Sequence, residues 1–254
     1  MKSENAKKEN RKALPLFLLI CIVALFIGFG CGWFIAGHGA GLGARISNLL
    51  ERLLRFITPW GTLLCAAIAA PICIWLLRSN RKMLAGWDGE DETVLARMET
   101  RTSFVLIISG LFLLASYFFL SSAYVYLQGL SILLVCGQVL AAMALSVFLQ
   151  QKAVDFSKTL NPEKHGSIYD VRFHKKWMGS CDEAEQAQVY KASYVSMQAF
   201  TTACLILWLL LTLASFSFNY GLLPSAIVLL LWAIQQIAYF IACLKSGKST
   251  LEKH

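Results

Sequence analysis

The residues best equipped for chemistry lie in one polar segment, residues 161–194. Its side chains include these candidates for binding a divalent metal: His165, Asp170, His174, Cys181, Asp182, Glu183 and Glu185. Their spacing matches neither a His-x-x-x-His pair nor a calcium-binding loop. On a helix, Asp182 and Glu185 would share a face and Glu183 would point elsewhere. We therefore expect no metal site here and interpret the carboxylates as the solvated start of a helix.

Motifs for nucleophilic or phosphate chemistry are absent from the sequence. It contains no G-x-S-x-G elbow, no P-loop and no G-x-G-x-x-G turn that opens a nucleotide-binding unit. The sequence therefore predicts no catalytic residue and no cofactor, and we expect the protein not to be an enzyme. An intramembrane enzyme acting on lipid or peptide stays open as a minor alternative.

Long apolar stretches dominate the rest of the chain. Hydrophobic residues make up 57% of the sequence and charged residues only 15%. Six stretches without an internal charge reach the roughly 20 residues that cross a bilayer: 14–37, 57–77, 103–126, 129–150, 198–219 and 222–244. This pattern predicts an all-α, polytopic bundle of six transmembrane helices that forms one membrane domain over residues 1–254. No A-x-A site follows the first stretch, so we expect a retained helix rather than a signal peptide.

The distribution of basic residues predicts the orientation. Of the 23 Lys and Arg residues, all but Arg45, Arg52 and Arg55 lie in the two tails or in the connections 78–102 and 151–197. Basic segments stay on the cytoplasmic side, so both termini and both connections are expected in the cytoplasm of a plasma-membrane protein. The net charge is +8, but the basic residues form no stripe with interleaved aromatic residues on a soluble domain. This argues against nucleic acid as a partner. We expect these residues to meet anionic lipid headgroups instead.

The outer connection between the first two stretches has two parts. Residues 37–43 are rich in glycine and predict a flexible segment. Residues 44–56 place apolar side chains at helical spacing, with Glu51 four residues before Arg55. This composition is typical of an amphipathic helix lying in the headgroup plane.

The remaining connections predict how the helices pair. Leu127–Gln128 and Tyr220–Gly221 are short enough to force antiparallel hairpins. The small residues Gly137 and Ala141 would permit a close helix approach, and Gln138 is expected to hydrogen-bond across helices.

The two inner connections share a weak repeat, a tryptophan followed by acidic residues. Trp87 precedes Asp88–Glu92, and Trp177 precedes Asp182–Glu185. Ser180-x-x-Glu183 has the pattern of a capping box, which predicts a helix from near Asp182 through Asn219.

The fourth connection also carries a family resemblance. Residues 161–170 (NPEKHGSIYD), Phe173, Trp177, 180–185 (SCDEAE) and 190–194 (YKASY) resemble a family of uncharacterised six-span membrane proteins, mainly of Gram-positive bacteria, known as a domain of unknown function. The resemblance implies a plasma-membrane location and no catalytic residue.

The leading functional hypothesis is a non-enzymatic membrane protein that binds a partner through its cytoplasmic connections. Large apolar side chains beside carboxylates are typical of interaction sites, and the candidate contacts are Phe173, Trp177, Asp182, Glu183 and Glu185. In the alternative, these rings pack against the bundle itself. A second hypothesis is a permease-like subunit of a transport or export system driven by a separate ATPase.

Overall fold

A computed structural model of the protein describes residues 2–218 and 220–251; some side chains of residues 2–42, those of 216 and 217, and those from 243 onward lie outside the description. Every regular element of the described residues is a helix. The order is α1 (Lys2–Ala85), α2 (Glu92–Tyr126), α3 (Leu130–Leu160), α4 (Phe173–Gly179), α5 (Glu183–Phe218) and α6 (Leu223–Leu251). The all-α class expected from the sequence is confirmed.

Five helical segments are long and apolar enough to cross a membrane: Gly43–Ala85, Glu92–Tyr126, Leu130–Leu160, Glu183–Ser215 and Leu223–Ala242. They contain the second and third stretches predicted from hydropathy in full. The fourth lacks only residue 129, the fifth lacks residues 216–219, and the sixth lacks residues 222, 243 and 244. The first expected stretch, 14–37, lies among residues whose side chains are only partly described. The chain is therefore a helical membrane protein.

The glycine-rich residues 37–43 are helical and lie inside α1, so the flexible connection expected there is wrong. Each glycine weakens a helix by roughly 0.5–1 kcal/mol, which lowers its stability without ending it. The expected Glu51–Arg55 pair is present, with a carboxylate oxygen 2.8 Å from the guanidinium.

The chain divides into two compact units, one of Leu50–Lys191 and one of Met1–Leu49 with Ala192–His254. In the first unit α2 and α3 form the expected hairpin, closed by the Leu127 N–H bonded to the Ala123 carbonyl (2.9 Å) and by Gly129 at φ +59°. In the second unit α5 and α6 form the other hairpin. There the Thr212 and Ser225 hydroxyls lie 3.3 Å apart and the Tyr220 hydroxyl donates to the Leu211 carbonyl at 2.6 Å.

The core of the first unit joins α1, α2 and α3. One cluster consists of Cys73, Leu76, Leu77, Val105, Leu149 and Ala153. The hydroxyls of buried serines on α2 donate hydrogen bonds to backbone carbonyls of the same helix, as Ser109 does to Val105 (2.7 Å). Each hydroxyl is thus satisfied within its own helix, and these small side chains let the helices approach closely, the usual packing of membrane helices.

Two buried amides link these helices. Gln138 on α3 donates to the Pro59 carbonyl on α1 at 3.1 Å, which confirms the expected bond across helices. Asn80 on α1 is fully buried and donates to the Met98 carbonyl and the Thr102 hydroxyl of α2, both at 3.0 Å. Each bond fixes the position of one helix along the axis of its neighbour as well as the distance between the two helices.

The close approach expected at Gly137 and Ala141 is wrong. A Cβ atom at Gly137 would meet nothing within 4 Å, whereas one at Gly61 on α1 would collide with the Phe119 ring of α2. At Gly61, α1 and α2 approach closely, because the Phe119 ring occupies the space that glycine leaves.

We predict that Gly61→Ala destabilises the bundle by about 1–3 kcal/mol, the usual cost of overpacking. The measurement is the midpoint of thermal unfolding of the purified protein in detergent. Gly110→Ala on α2 is the matched control, because a Cβ there meets nothing within 4 Å. Equal midpoints for the two variants would contradict the contact.

Candidate functional site

The fourth connection is a folded structure attached to the end of α3. Gln151, a buried residue in the last turns of that helix, anchors it. Its side-chain oxygen accepts from the Ser167 hydroxyl (3.0 Å) and the Ile168 N–H (2.8 Å), and its amide donates to Asp155 (2.7 Å). The connection therefore has a fixed register against α3.

Gly166 permits the sharp bend that follows. Its φ of +136° is a conformation that other residues rarely adopt, and a Cβ atom there would lie 2.9 Å from the Phe173 ring. Phe173 begins α4, and its ring lies 5.6 Å from that of Trp177, centroid to centroid. The bend thus brings the two rings of α4 back toward α3.

Lys164 is the centre of the site. Only 7% of its surface is exposed, although a lysine is almost never fully buried unless it is paired. Its amine forms an ion pair with Glu185 of α5, lies 3.4 Å from the Cys181 sulfur and lies 6.0 Å from the Trp177 ring centroid. One ammonium therefore ties the connection to the start of α5.

The environment of Lys164 keeps it charged. Burial, the largest influence, acts to lower the pKa of the Lys164 amine. Hydrogen bonds to Glu185 and Cys181, together with the charges on both, outweigh burial and leave the pKa of Lys164 raised above its ordinary value. At neutral pH the amine is thus a permanent cation that holds Glu185 in place.

The start of α5 is a capping box, in a different register from the predicted one. The Asp182 carboxylate accepts from the Glu185 N–H (2.7 Å), and the Glu185 carboxylate accepts from the Asp182 N–H (3.1 Å). The Ser180–Glu183 box is wrong, because the Ser180 hydroxyl donates to the Trp177 carbonyl (2.7 Å) and accepts from the His165 N–H (3.1 Å). Ser180 closes α4 instead of opening α5.

A cleft of about 320 Å³ opens beside this cluster. Residues of α2, the end of α3, the connection and the start of α5 line it. The lining combines polar and apolar side chains. The polar ones include Glu99, Thr102, Ser157, Asn161, Lys164 and Gln188, and the apolar ones include Leu106, Leu160, Trp177 and Val189. The cleft is large enough for a side chain or two of a partner, and its carboxylates favour a cationic one.

The first inner connection, residues 78–102, also combines a tryptophan with an acidic residue that caps the next helix. Asp91 caps α2 by accepting from the Thr93 N–H (2.8 Å), and the Trp87 ring nitrogen donates to the Asp91 carbonyl (3.1 Å). Hydrogen bonds from the hydroxyl and N–H of Thr93 lower the pKa of Asp91. The repeated pattern of a tryptophan before acidic residues is therefore a helix-start device in both connections.

The structure separates the five predicted contact residues into two groups. Phe173, Trp177 and Glu185 are half-buried within the cluster, and Asp182 and Glu183 are exposed. Of the two acidic exposed residues, only Glu183 has no part in the capping box. Partner contact by this set stays a prediction.

Sequence reasoning missed two residues that organise the site, Lys164 and Gln151. In the sequence, Lys164 stands among the basic residues and in the family-resemblance segment 161–170, and Gln151 directly follows an apolar stretch. The signal for both is three-dimensional. Lys164 contacts Cys181 and Glu185, and Gln151 contacts Ser167 and Ile168, all 16 or more positions away along the chain.

Metal binding finds no support among the described residues, where no three His, Cys, Asp or Glu side chains come together as ligands. Asp170 is engaged by the Lys176 amine (2.5 Å). That hydrogen bond, with one from the Arg172 N–H, lowers the pKa of Asp170.

Five apolar helical segments and a folded polar connection that follows α3 define a polytopic helical membrane protein with a structured cleft. A family model described as a protein of unknown function, DUF3169, matches residues 9–243. The chain belongs to this family, which confirms the resemblance to a membrane family of unknown function. No curated protein and no solved structure matches the chain.

We predict that Asp182→Ala lowers the stability of the start of α5, because loss of an N-cap carboxylate costs about 0.5–2 kcal/mol. Hydrogen exchange of residues 183–188 measures this directly. Glu183→Ala is the matched control, one residue away and outside the box. Faster exchange in the control than in Asp182→Ala would restore the register predicted from the sequence.

Proposed function

We propose that this protein is a non-enzymatic, six-span plasma-membrane protein that binds a protein partner through its cytoplasmic connections. The observation that supports this proposal best is the preformed cleft beside Lys164, which combines polar and apolar groups from α2, from α3, from the fourth connection and from α5. In the proposal, residues 14–37 supply one further span, both termini lie in the cytoplasm, and residues 44–56 contact the outer headgroups. This topology requires α1, which runs unbroken from Lys2 to Ala85, to reverse its direction between residues 37 and 57 in the membrane.

The chemistry of the cleft rim favours a basic partner segment with apolar neighbours. Glu99 is an exposed carboxylate of the cleft lining. On α5, the exposed Glu183 and Tyr190 (62% exposed) lie outside the lining but within two residues of Glu185 and Val189, which belong to it. Lys164 neutralises Glu185 but leaves the outer carboxylates unpaired with any described cation. A Lys or Arg of the partner would meet these carboxylates while an apolar residue meets Tyr190.

The structure also identifies which variants test partner binding cleanly. Asp182, Glu185 and Trp177 support the local fold, so their removal would alter the cleft whether or not a partner binds there. Glu99, Glu183 and Tyr190 are exposed, and no hydrogen bond or ion pair of their side chains is found in the described residues. They are therefore the informative positions.

The orientation predicts opposite labelling at the two ends of the α2–α3 hairpin. In intact cells, a membrane-impermeant maleimide should label Gln128→Cys, which lies in the outer turn, and should label Glu183→Cys only after permeabilisation. Both positions are exposed, and Cys181→Ser in the background removes the native thiol nearby. Labelling of Glu183→Cys from outside intact cells would overturn the orientation and the cytoplasmic partner with it.

A photoreactive amino acid at Tyr190 should cross-link a discrete partner in native membranes, and one at Gln128 should not. Charge reversal by Glu99→Lys with Glu183→Lys should reduce the Tyr190 adduct by at least about tenfold, because like charges would then face the partner. Glu90→Lys is the control, since Glu90 is exposed, precedes the start of α2 and has no residue of the cleft lining within two positions of it. An adduct of unchanged yield after the double reversal contradicts a basic partner in the cleft.

A second candidate is a permease-like subunit of a transport or export system driven by a separate ATPase. Helix α4 favours it, because this short helix projects Lys175 and Lys176 as exposed side chains at the end of the bundle. An element of this kind is suited to docking on another subunit. An ATPase as the cross-linked partner at Tyr190 would favour this candidate over a regulatory or scaffolding partner.

A further inference from the structure

The ends of α1 and α3 enclose a second, smaller cavity of about 170 Å³. Its lining consists of Arg81, Leu84, Lys152, Asp155, Phe156 and Thr159. Two cations from two different helices therefore face one small space. This cavity shares no residue with the cleft beside Lys164.

Both cations are available to a ligand. Neither Arg81 nor Lys152 forms an ion pair with any carboxylate in the described residues. The Lys152 amine lies 5.4 Å from the Phe148 ring centroid, which orients it without neutralising it. Asp155 is the only acidic residue of the lining, and one of its oxygens already accepts from Gln151 at 2.7 Å.

The depth of the cavity corresponds to the lipid headgroups. The apolar stretches of α1 and α3 end at Leu77 and Gln150, so Arg81 and Lys152 lie about 6 Å and 3 Å farther along their helices. That distance falls within the polar layer that borders the hydrocarbon. Leu84 and Phe156 supply the apolar part of the lining.

We propose that this cavity binds the phosphate of an anionic glycerophospholipid, with the Arg81 guanidinium and the Lys152 ammonium as its ligands. An arginine fork can hold two phosphate oxygens, and the lysine adds a point charge. A basic pocket between helices at the cytoplasmic side is a known form of lipid recognition. The small volume suits one headgroup and excludes a folded partner.

The test compares lipid retention by the purified full-length protein in nanodiscs of phosphatidylcholine with and without phosphatidylglycerol. The double variant Arg81→Gln, Lys152→Gln should bind phosphatidylglycerol about thirtyfold more weakly than the native chain, the loss expected for two surface cations. The double variant Lys175→Gln, Lys191→Gln is the control, because it removes the same charge from exposed positions outside the cavity. Native mass spectrometry counts the lipids retained.

A second comparison separates the local site from bulk charge and from misfolding. Lys152→Arg keeps the charge and should retain native binding, and the unfolding midpoint of each variant reports whether the bundle is intact. Equal losses in the two double variants would overturn the proposal in favour of bulk attraction. Retention of phosphatidylglycerol by a folded Arg81→Gln, Lys152→Gln variant would overturn it outright.

Inorganic phosphate distinguishes the lipid from a soluble source of the same chemistry. Phosphate at millimolar concentration should neither bind the protein in phosphatidylcholine nanodiscs nor displace phosphatidylglycerol, because the free ion gains nothing from the apolar lining. Binding of phosphate that depends on Arg81 and Lys152 would overturn the lipid as the ligand.

Discussion

A backbone N–H or C=O group inside hydrocarbon has no water to bond, and this constraint shapes the whole chain. It favours helices long enough to carry their own hydrogen bonds across the apolar layer. It also explains why the buried serines of α2 bond to carbonyls of their own helix and why Gln138 and Asn80 find carbonyls on a neighbouring one. The polar cluster around Lys164 forms only beyond the apolar stretches, where water can solvate the outer carboxylates.

Hydropathy predicted the helices well because an apolar stretch has few alternatives in a membrane. The hairpin turns at 127–129 and after Phe218 followed from connection length alone. The flexible connection predicted for the glycine-rich residues 37–43 was wrong, because a glycine weakens a helix by only roughly 0.5–1 kcal/mol and does not by itself end one. Glycine spacing also misplaced the close helix approach, because the partner at Gly61 is the ring of Phe119 and no sequence rule links the two.

The site was predictable in composition but not in arrangement. Carboxylates after a tryptophan correctly indicated a helix start, yet the capping box lies two residues later than its pattern suggested. Both Ser180 and Asp182 are good capping residues, and the choice between them depends on where α4 ends. Lys164 and Gln151 could not be assigned roles from the sequence, because each acts on residues brought near only by the bend at Gly166.

The attachment of the fourth connection at Gln151 has a mechanical consequence. One side chain near the end of α3 holds the backbone at Ile168, and Lys164 joins the same connection to the start of α5. A sliding or rotation of α3 along its axis would therefore drag the short helix α4 with it and change the spacing between Glu185 and the mouth of the cleft. A movement of α3 is thus coupled to the shape of the cleft through the side chains of Gln151 and Lys164.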